Sequence, residues 1–179
     1  SNVQTLFDES GNLMDKPTYT RRLERFMQEL IWMSTVLRYG RTQVSLDKQL
    51  IDAPLHRYEL ANGERRVRVS KEGKASKTQW NVAERFMHAT LVYASPLSGR
   101  THQIRVHGLS IGHPLVGDEK YGHETEYRGP KPRRLCLHAM RLEIPGYPTI
   151  EAPLPEDMQS LVAQLRAQKA DKPTAAPEL

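Results

Sequence analysis

The histidines are the first residues in this sequence whose type and spacing could support metal chemistry. Three of the seven, His102, His107 and His113, lie close together in the chain. Five helical residues turn the chain by about 500°, so His102 and His107 would point about 140° apart, whereas helical zinc ligands are four residues apart. Since Cys136 is also the only cysteine, the sequence predicts no metal site.

Nucleophilic and nucleotide-cofactor chemistry have equally little support. Ser98 lies in PLSGR rather than in the G-x-S-x-G turn of serine hydrolases. The chain contains neither a glycine-rich phosphate loop nor a dinucleotide-binding fingerprint. Asp118 and Glu119 do not follow the spacing of a calcium-binding loop. The absence of these motifs argues against the common hydrolase, nucleotide-binding and calcium-binding classes of protein.

Basic residues are what remains, and a group of them falls within a short part of the chain: Arg100, Arg105, Arg128, Lys131, Arg133, Arg134 and Arg141. Lys131, Arg133 and Arg134 share the Gly/Pro-rich segment RGPKPRRL, which is typical of loops that follow a phosphate backbone. An exposed loop kept soluble by its charge has the same composition. Both interpretations of this loop stay open from the sequence.

Arg105 lies in a segment that predicts a helix over residues 101–111. The apolar residues of this segment fall on two sides of a helical wheel: Ile104, Gly108 and Ile111 on one side, Val106 and Leu109 on the other. A helix that is apolar on two sides packs between two layers. On such a helix the guanidinium of Arg105 needs a carboxylate or phosphate partner, because an unpaired buried charge is costly. A structural salt bridge and a functional ion pair both meet this need.

Two glycines fit the same helix. Gly108 permits a close approach of a neighbouring backbone, and Gly112 suits the position just after the helix ends. The helix is therefore predicted to pack closely and to stop at residue 111.

Residues 46–98 have the two-residue periodicity of β-strands. In ERRVRVS the side chains fall on two faces: Val67 and Val69 on one, Arg66, Arg68 and Ser70 on the other. A turn at 72–74 and strands in TQWNVAERF and HATLVYAS indicate an antiparallel meander, and LCLHA alternates in the same way. The arginine face is either a solvated surface or an RNA contact, with Lys74 in the following turn as a further candidate contact.

Both ends of the chain are predicted to contain helices. Apolar residues between positions 23 and 33 approximate the spacing of an amphipathic helix over Tyr19–Leu37. Pro155 begins a second helix, whose first turn is acidic. We divide the chain into three parts: an atypical N-terminal segment (1–45), a core (46–168) and a disordered Pro/Ala-rich tail (169–179).

Composition limits the class of protein. At 179 residues and 20.5 kDa, with 38% hydrophobic and 26% charged residues, the chain matches one ordinary domain. It has no apolar run near the roughly 20 residues that span a bilayer, and no N-terminal signal pattern. A single cysteine suits a reducing compartment. Together with the net charge of +5, these features predict a cytoplasmic protein without membrane association whose partner is a polyanion.

The segment around Arg105 reads SGRTHQIRVH and is followed by GHPLVGDEKYG and then by LCLHA. These blocks, with APL…GERRVRVSKEGKASKTQWNVAERF upstream, resemble the RluA-type pseudouridine synthases, and most of all the branch that acts on large-subunit ribosomal RNA. The resemblance covers roughly residues 50–155. It implies an α+β fold in which a bent, mostly antiparallel mixed sheet is flanked by helices.

The resemblance also implies an activity, the isomerisation of uridine to pseudouridine in ribosomal RNA by a monomer without metal or cofactor. The uridine is flipped out of the RNA, because a stacked base cannot be rotated. An aspartate then acts at C1′ of the sugar or C6 of the base, and Arg105 matches the arginine that pairs with it. The resemblance implies that four residues before Arg105 in the motif shape the cleft and contact the RNA: Arg100, Thr101, His102 and Gln103.

The match is incomplete at the N-terminal end. The H-R-L-D-x-x-T-S-G block that carries the family's aspartate is absent, and so is the K-x-Y-x-A-x-V-x-G block. The nearest alternatives are LMDKPT and LFDESG, which make Asp15, and with less similarity Asp8, the candidate catalytic aspartates. Alternatively, the chain is a truncated or altered synthase that acts as a non-catalytic RNA-binding module. The turn with Gly117, Asp118 and Tyr121 matches a family turn of structural role.

Overall fold

The structure is a computed structural model that describes residues 31–38, 46–122 and 127–170. The strands in these residues are β1 (Ile31–Arg38), β2 (Lys48–Asp52), β3 (Leu55–Glu59), β4 (Arg65–Val69), β5 (Lys77–Arg85), β6 (Thr90–Pro96), β7 (Leu137–Glu143) and β8 (Ile150–Glu151). The helices are α1 (Gln103–Ser110) and α2 (Glu156–Ala170). Within these ranges neither helix has the length and apolar character needed to cross a membrane.

Six strands form one sheet in the order β2-β5-β6-β1-β7-β8, and every neighbouring pair is antiparallel. The strands predicted between residues 46 and 98 are present, but β2 pairs with β5 rather than with β3. Strands β3 and β4 form a separate hairpin, inserted between β2 and β5, in which Leu55 pairs with Val69. The predicted α+β fold with an antiparallel sheet is confirmed.

The N-terminal segment differs from its prediction. Ile31–Arg38 is a strand inside the sheet and not the last part of the helix predicted over Tyr19–Leu37. This strand contains the β-branched residues Ile31, Thr35 and Val36, and it pairs on one side with β6 and on the other with β7. Strand pairing with distant segments has therefore overridden the local periodicity. The rest of the predicted helix lies outside the described residues.

Helix α1 confirms the helix predicted over residues 101–111, and it packs between two apolar clusters. Ile104 packs against the cluster that contains Trp80, on the large sheet. Val106 packs with Val67 of the hairpin and with Tyr121. Arg105 is therefore carried by a helix that is sandwiched between the sheet and the hairpin, as its apolar pattern predicted.

The two helix glycines have the predicted roles. A Cβ atom at Gly108 would lie 2.8 Å from the carbonyl oxygen of His113 and 2.9 Å from the ring of Trp80, so a larger residue does not fit. Gly112, just after the helix, has a φ of 77°. Close packing and the helix end are thus both set by glycine.

Helix α2 covers a second part of the core and begins at the predicted position. The carbonyl of Pro155 accepts the first hydrogen bonds of the helix, from the amides of Met158 and Gln159. This part of the core is an apolar cluster whose buried residues come from the helix and from the segments beneath it: Met158, Leu161, Val162, Leu165, Phe86, Ala89, Leu91, Val116 and Cys136. Most of the predicted tail (169–179) lies outside the described residues.

Candidate active site

Arg105 of α1 forms a two-point ion pair with Asp118. Its Nε donates to Oδ2 at 2.9 Å, and its Nη2 donates to Oδ1 at 2.7 Å. The Asp118 side chain is fully buried, whereas 16% of the Arg105 side chain is exposed. Arg105 therefore has the anionic partner that its burial requires, and among the described residues that partner is a carboxylate of this chain.

A tight turn fixes the position of Asp118. Gly117 has a φ of 74°, and a Cβ atom there would overlap a neighbouring backbone carbonyl. The amides of Lys120 and Tyr121 donate to Oδ1 of Asp118 at 3.1 and 3.0 Å. Burial by itself raises the pKa of Asp118, but the hydrogen bonds from Arg105 and from the amides outweigh it and the pKa is lowered. Asp118 is therefore held as a carboxylate.

Tyr121 connects this ion pair to the β3–β4 hairpin. Its ring lies beneath the guanidinium of Arg105, with 4.9 Å between Cζ and the ring centroid, which is a cation–π contact. Its hydroxyl accepts a hydrogen bond from the amide of Val67 at 3.0 Å and lies 2.9 Å from Nδ1 of His102. One side chain thus positions the arginine, the hairpin and the histidine together.

His102 is the only non-glycine residue with a positive φ, 52°, in the described part of the chain. Backbone conformations of this kind are concentrated at functional sites. We assign the hydroxyl proton of Tyr121 to the bond with Nδ1, because this nitrogen lies 2.9 Å from the oxygen and can accept it. With this assignment the proton of the neutral ring is on Nε2. Burial, together with the charges of Arg105 and Lys120, lowers the pKa of His102. The ring is therefore a neutral hydrogen-bond donor beside the ion pair.

Gln103, predicted as an RNA contact, is buried and makes its hydrogen bonds within the protein. Its Oε1 accepts from the Ser98 hydroxyl and the Arg100 amide. Its Nε2 donates to the Lys77 carbonyl and the Thr78 hydroxyl. These bonds fix the loop that leads into α1, so we do not retain Gln103 among the RNA contacts.

His107 lies apart from the ion pair and is completely buried. Its Nε2 donates to the carbonyl of Ala53 at 2.9 Å, and its Nδ1 accepts from the Thr78 hydroxyl at 2.7 Å. Burial lowers the pKa of His107, although the Ala53 carbonyl and the charge of Asp52 act in the opposite direction. Across the described ranges, no three His, Cys, Asp or Glu side chains are grouped so that they could hold a metal ion.

Three of the predicted RNA contacts line a single groove. Lys74, Arg100 and Thr101 meet between the hairpin and the loop before α1, in a groove of about 510 Å³. The Nε of Arg100 donates to the carbonyl of Ala75 at 3.2 Å, which holds this side chain against the protein. The structure thus brings together basic residues that are well separated in the sequence.

The basic loop lines a second cleft, of about 380 Å³, in which Lys131, Arg133 and Arg134 face Asp118 and its turn. Arg134 donates to both oxygens of Asp157, at 2.6 and 3.2 Å, and to two backbone carbonyls. Arg134 therefore ties the loop to the start of α2. Lys131 and Arg133 are exposed, so the solvated-loop and RNA-contact interpretations both apply to them.

Of the two arginines of strand β4 that were predicted to contact RNA, one is bonded within the protein and the other is exposed. Arg66 donates to Glu64 at 3.1 Å and to the carbonyl of Lys120 at 3.2 Å, so it fastens the hairpin to the Asp118 turn. Arg68 is exposed and lies over the ring of Tyr58, with 5.2 Å between Cζ and the centroid. The predicted arginine face is thus part structural and part open surface.

Asp15 and Asp8, the predicted catalytic aspartates, lie outside the described residues. Asp118, predicted to have a structural role, is the partner of Arg105, which the sequence did not predict. The contact between Arg105 and Tyr121 was not predicted either. The signal that could have found Asp118 is the Gly-Asp pair in a short turn, since an aspartate in a turn accepts the amide hydrogens of the next residues.

Known proteins with similar sequences include pseudouridine synthases. No protein-family model matches the chain. The chain is 38% identical over 172 residues to ribosomal large subunit pseudouridine synthase C of Haemophilus ducreyi, and 40% identical over 171 residues to the protein of the same name in Escherichia coli strain K12. This chain is a homologue of proteins named ribosomal large subunit pseudouridine synthase C. The matches cover 90% and 89% of the chain but 54% of each relative, so the chain spans about half the length of these relatives.

Solved structures of pseudouridine synthases have the same fold. Human RNA pseudouridylate synthase domain containing 1 is 25% identical and matches with a TM-score of 0.62, over 87% of this chain and 74% of the human chain. Human RNA pseudouridylate synthase domain containing 4 matches with the same TM-score at 22% identity, over 86% of this chain and 69% of that one. The synthase fold predicted from the sequence motifs is therefore confirmed.

Proposed function

We propose that this chain isomerises uridine to pseudouridine in large-subunit ribosomal RNA, or forms part of an enzyme that does so. The observation that supports this most directly is the way Arg105 is held. Asp118 uses Nε and Nη2, and no described residue accepts a hydrogen bond from Nη1. An arginine has donors enough for two anions. Arg105 can therefore bind a second carboxylate while Asp118 keeps it in place.

A second carboxylate at Arg105 has the properties that the reaction needs. A neighbouring guanidinium favours the ionised form of an acid, so the aspartate is charged and nucleophilic at neutral pH. It attacks C1′ of the ribose or C6 of the uracil, the bond from N1 to C1′ breaks, and the uracil rotates. C5 then bonds to C1′, and the bond from the aspartate to C1′ or C6 breaks, which regenerates the carboxylate. The proton on C5 is lost and N1 gains one. Product and substrate have the same composition, so the reaction needs no redox partner.

Asp15, and with less similarity Asp8, are the aspartates that we propose for this role. Asp118 is a poor candidate, because its side chain is fully buried and both of its oxygens already accept hydrogen bonds. A carboxylate so fully bonded is a weak nucleophile, and its side chain has no exposed surface with which to contact a ribose. Its contribution is to orient Arg105.

The RNA would be held by basic and polar residues around the ion pair that are exposed or half-buried. The exposed contacts are Arg68, Lys74, Thr101, Lys131 and Arg133, and the half-buried ones are Arg100 and His102. Arg66 and Arg134 would contribute mainly by holding the hairpin and the basic loop. Backbone contacts of this kind recognise folded RNA by shape and make the affinity depend on salt. A monomeric, cytoplasmic protein without membrane association completes the proposal.

The test is pseudouridine mapping on large-subunit ribosomal RNA incubated with the chain. We expect a modified uridine with the wild type, and we expect its loss in Arg105→Lys and in one of Asp15→Asn and Asp8→Asn. Asp47→Asn is the matched control, because Asp47 is an exposed acid that pairs with Arg85 away from α1. Modification that survives both Asp15→Asn and Asp8→Asn would contradict the assignment of the aspartate.

The same experiment tests the alternative of a non-catalytic RNA-binding module. That alternative predicts salt-sensitive RNA binding without any pseudouridine, and an affinity that Arg105→Ala leaves nearly unchanged. An isomerase predicts a product that forms with the wild type and disappears with the Arg105 variant.

A further inference from the structure

The outer edge of strand β4 is not paired with any described strand. The amide of Ser70 donates inward to the carbonyl of Pro54, while the amide of Val67 donates outward to the hydroxyl of Tyr121. Backbone groups of alternate residues in a strand share a direction. The carbonyl of Val67 and the amide of Val69 therefore also point outward, as hydrogen-bonding groups of an open strand edge.

A pocket of about 340 Å³, the β4-edge pocket, lies beside this edge. Its apolar surface comes from Val67 and Val106, which are buried, and from the half-buried Leu109. Lys120 and Tyr121 line the side nearest to the ion pair. The pocket thus combines apolar surface with backbone donors and acceptors, in a space suited to one planar group.

The cations around the pocket differ in how they are neutralised. Arg66 and Lys120 share the carboxylate of Glu64, at 3.1 and 2.9 Å. Arg68 has no carboxylate partner in the described ranges and lies instead over the ring of Tyr58. Stacking on a ring orders a guanidinium without neutralising its charge. The rim of the pocket therefore carries an ordered and unneutralised cation.

We infer that the β4-edge pocket binds one unstacked nucleotide of the substrate RNA, with its phosphate on Arg68 and its base beside Tyr58 on the apolar surface. The inference rests on the proposed function for the identity of the RNA. Unpaired bases are commonly held by aromatic rings and arginine planes and by hydrogen bonds to their edges. A peptide strand would also fit an open edge, but it would leave the charge of Arg68 unmatched.

Tyr121 makes this pocket relevant to the reaction. The same side chain lines the pocket and lies under Arg105. A nucleotide in the pocket is therefore separated from Arg105 by a single aromatic residue, so it would lie close in space to the uridine that reacts. The pocket would select RNA in which a nucleotide near the target is unpaired.

The phosphate contact is tested by binding of a fluorescein-labelled, single-stranded oligouridine over a range of salt concentrations. Arg68→Ala should weaken binding about tenfold and reduce the number of released counterions by about one. Arg65→Ala is the matched control: Arg65 is on the same strand, 73% of its side chain is exposed, and it pairs with Glu59. Equal losses in the two variants would overturn the proposal.

The base contact is tested with a ribosomal RNA hairpin in which each loop nucleotide in turn is made abasic. We expect the wild type to lose about tenfold in affinity at one position, and Tyr58→Ala to lose nothing further at that position. Tyr147→Ala, at a tyrosine that is 72% exposed and outside the pocket, should behave as the wild type. A Tyr58→Ala variant that keeps the wild-type sensitivity at every position overturns the proposal.

Pseudouridine formation is measured on the same hairpins. Its absence with the wild type would overturn the proposal that this chain isomerises uridine by itself, while the abasic comparison would still decide whether the pocket holds a base. A wild type that forms pseudouridine but shows no abasic-sensitive position would overturn the pocket alone.

Discussion

Asp118 orients Arg105, and not the reverse. The carboxylate accepts two hydrogen bonds from the guanidinium, but it also accepts the amides of Lys120 and Tyr121 and is fully buried in its own turn. The arginine, by contrast, is partly exposed. Its outer edge is therefore presented in a fixed orientation, and an arginine that is already ordered loses less entropy when it binds a further anion.

Replacing Asp118 by asparagine tests this relationship. The change keeps the shape but leaves a mostly buried guanidinium without its anion, so we expect the free energy of unfolding to fall by about 3 kcal/mol. Urea denaturation measures it. The control is Asp52→Asn, because Asp52 pairs with Lys77 where both side chains are about half exposed, and a loss below about 1 kcal/mol is expected there. Similar losses in the two variants would contradict the structural role of Asp118.

The hydroxyl of Tyr121 should contribute to stability separately from its ring. Tyr121→Phe keeps the ring under Arg105 but leaves the amide of Val67 without its acceptor, so a loss of about 1 to 3 kcal/mol is expected. Thermal or urea unfolding measures it. Tyr147→Phe, at an exposed tyrosine, should have no effect. No loss in Tyr121→Phe would show that the hydroxyl contacts do not hold the hairpin.

His107 should make the fold sensitive to acid. The pKa of His107 is lowered in the folded protein, mainly by burial, whereas in the unfolded chain its pKa is about 6.5. The unfolded state therefore binds more protons below that pH, and the free energy of unfolding should decrease as the pH falls from about 7 to 5, by up to about 1.4 kcal/mol per pH unit.

The measurement compares unfolding of the wild type and His107→Gln across this pH range. We expect a flatter dependence in the variant, because glutamine does not titrate. His102, whose pKa is also lowered, is present in both proteins, so the difference in slope isolates His107. Parallel curves would contradict the prediction.

Two neighbouring arginines of the basic loop should behave differently. Arg133→Ala removes an exposed charge and should weaken RNA binding and its salt dependence, without changing stability. Arg134→Ala breaks the contacts with Asp157 and should lower the free energy of unfolding by about 1 kcal/mol. RNA titrations and urea unfolding on both variants separate the two effects. An RNA-binding loss confined to Arg134→Ala would reverse our assignment of the loop.

Local pattern was sufficient for much of the fold. The two apolar sides of α1 and the glycine at its end are short-range features, and both the helix and its burial followed from them. Gly108 was interpretable because a missing side chain signals close neighbours, and these are the carbonyl of His113 and the ring of Trp80. Strand β1 could not be predicted, because its structure depends on pairing with β6 and β7 rather than on its own periodicity.

The candidate site also contains features that the local sequence predicted and features that it did not. The need for an anion at Arg105 followed from burial, which helix periodicity predicts. The identity of that anion did not follow, because Asp118 and Tyr121 reach Arg105 only once the turn at Gly117 folds back onto α1. A sequence motif indicates which residues matter, but the contacts among them depend on the path of the chain.

Strand β1 has a consequence for how the chain folds. It joins β2, β5 and β6 on one side to β7 and β8 on the other, and its residue Ile31 pairs with Glu143. Contacts between such distant residues form slowly. During synthesis β1 leaves the ribosome before β7 and must wait for it. We expect the docking of β7 to be a late step, and until it occurs the nascent chain carries an open strand edge that is a target for chaperones.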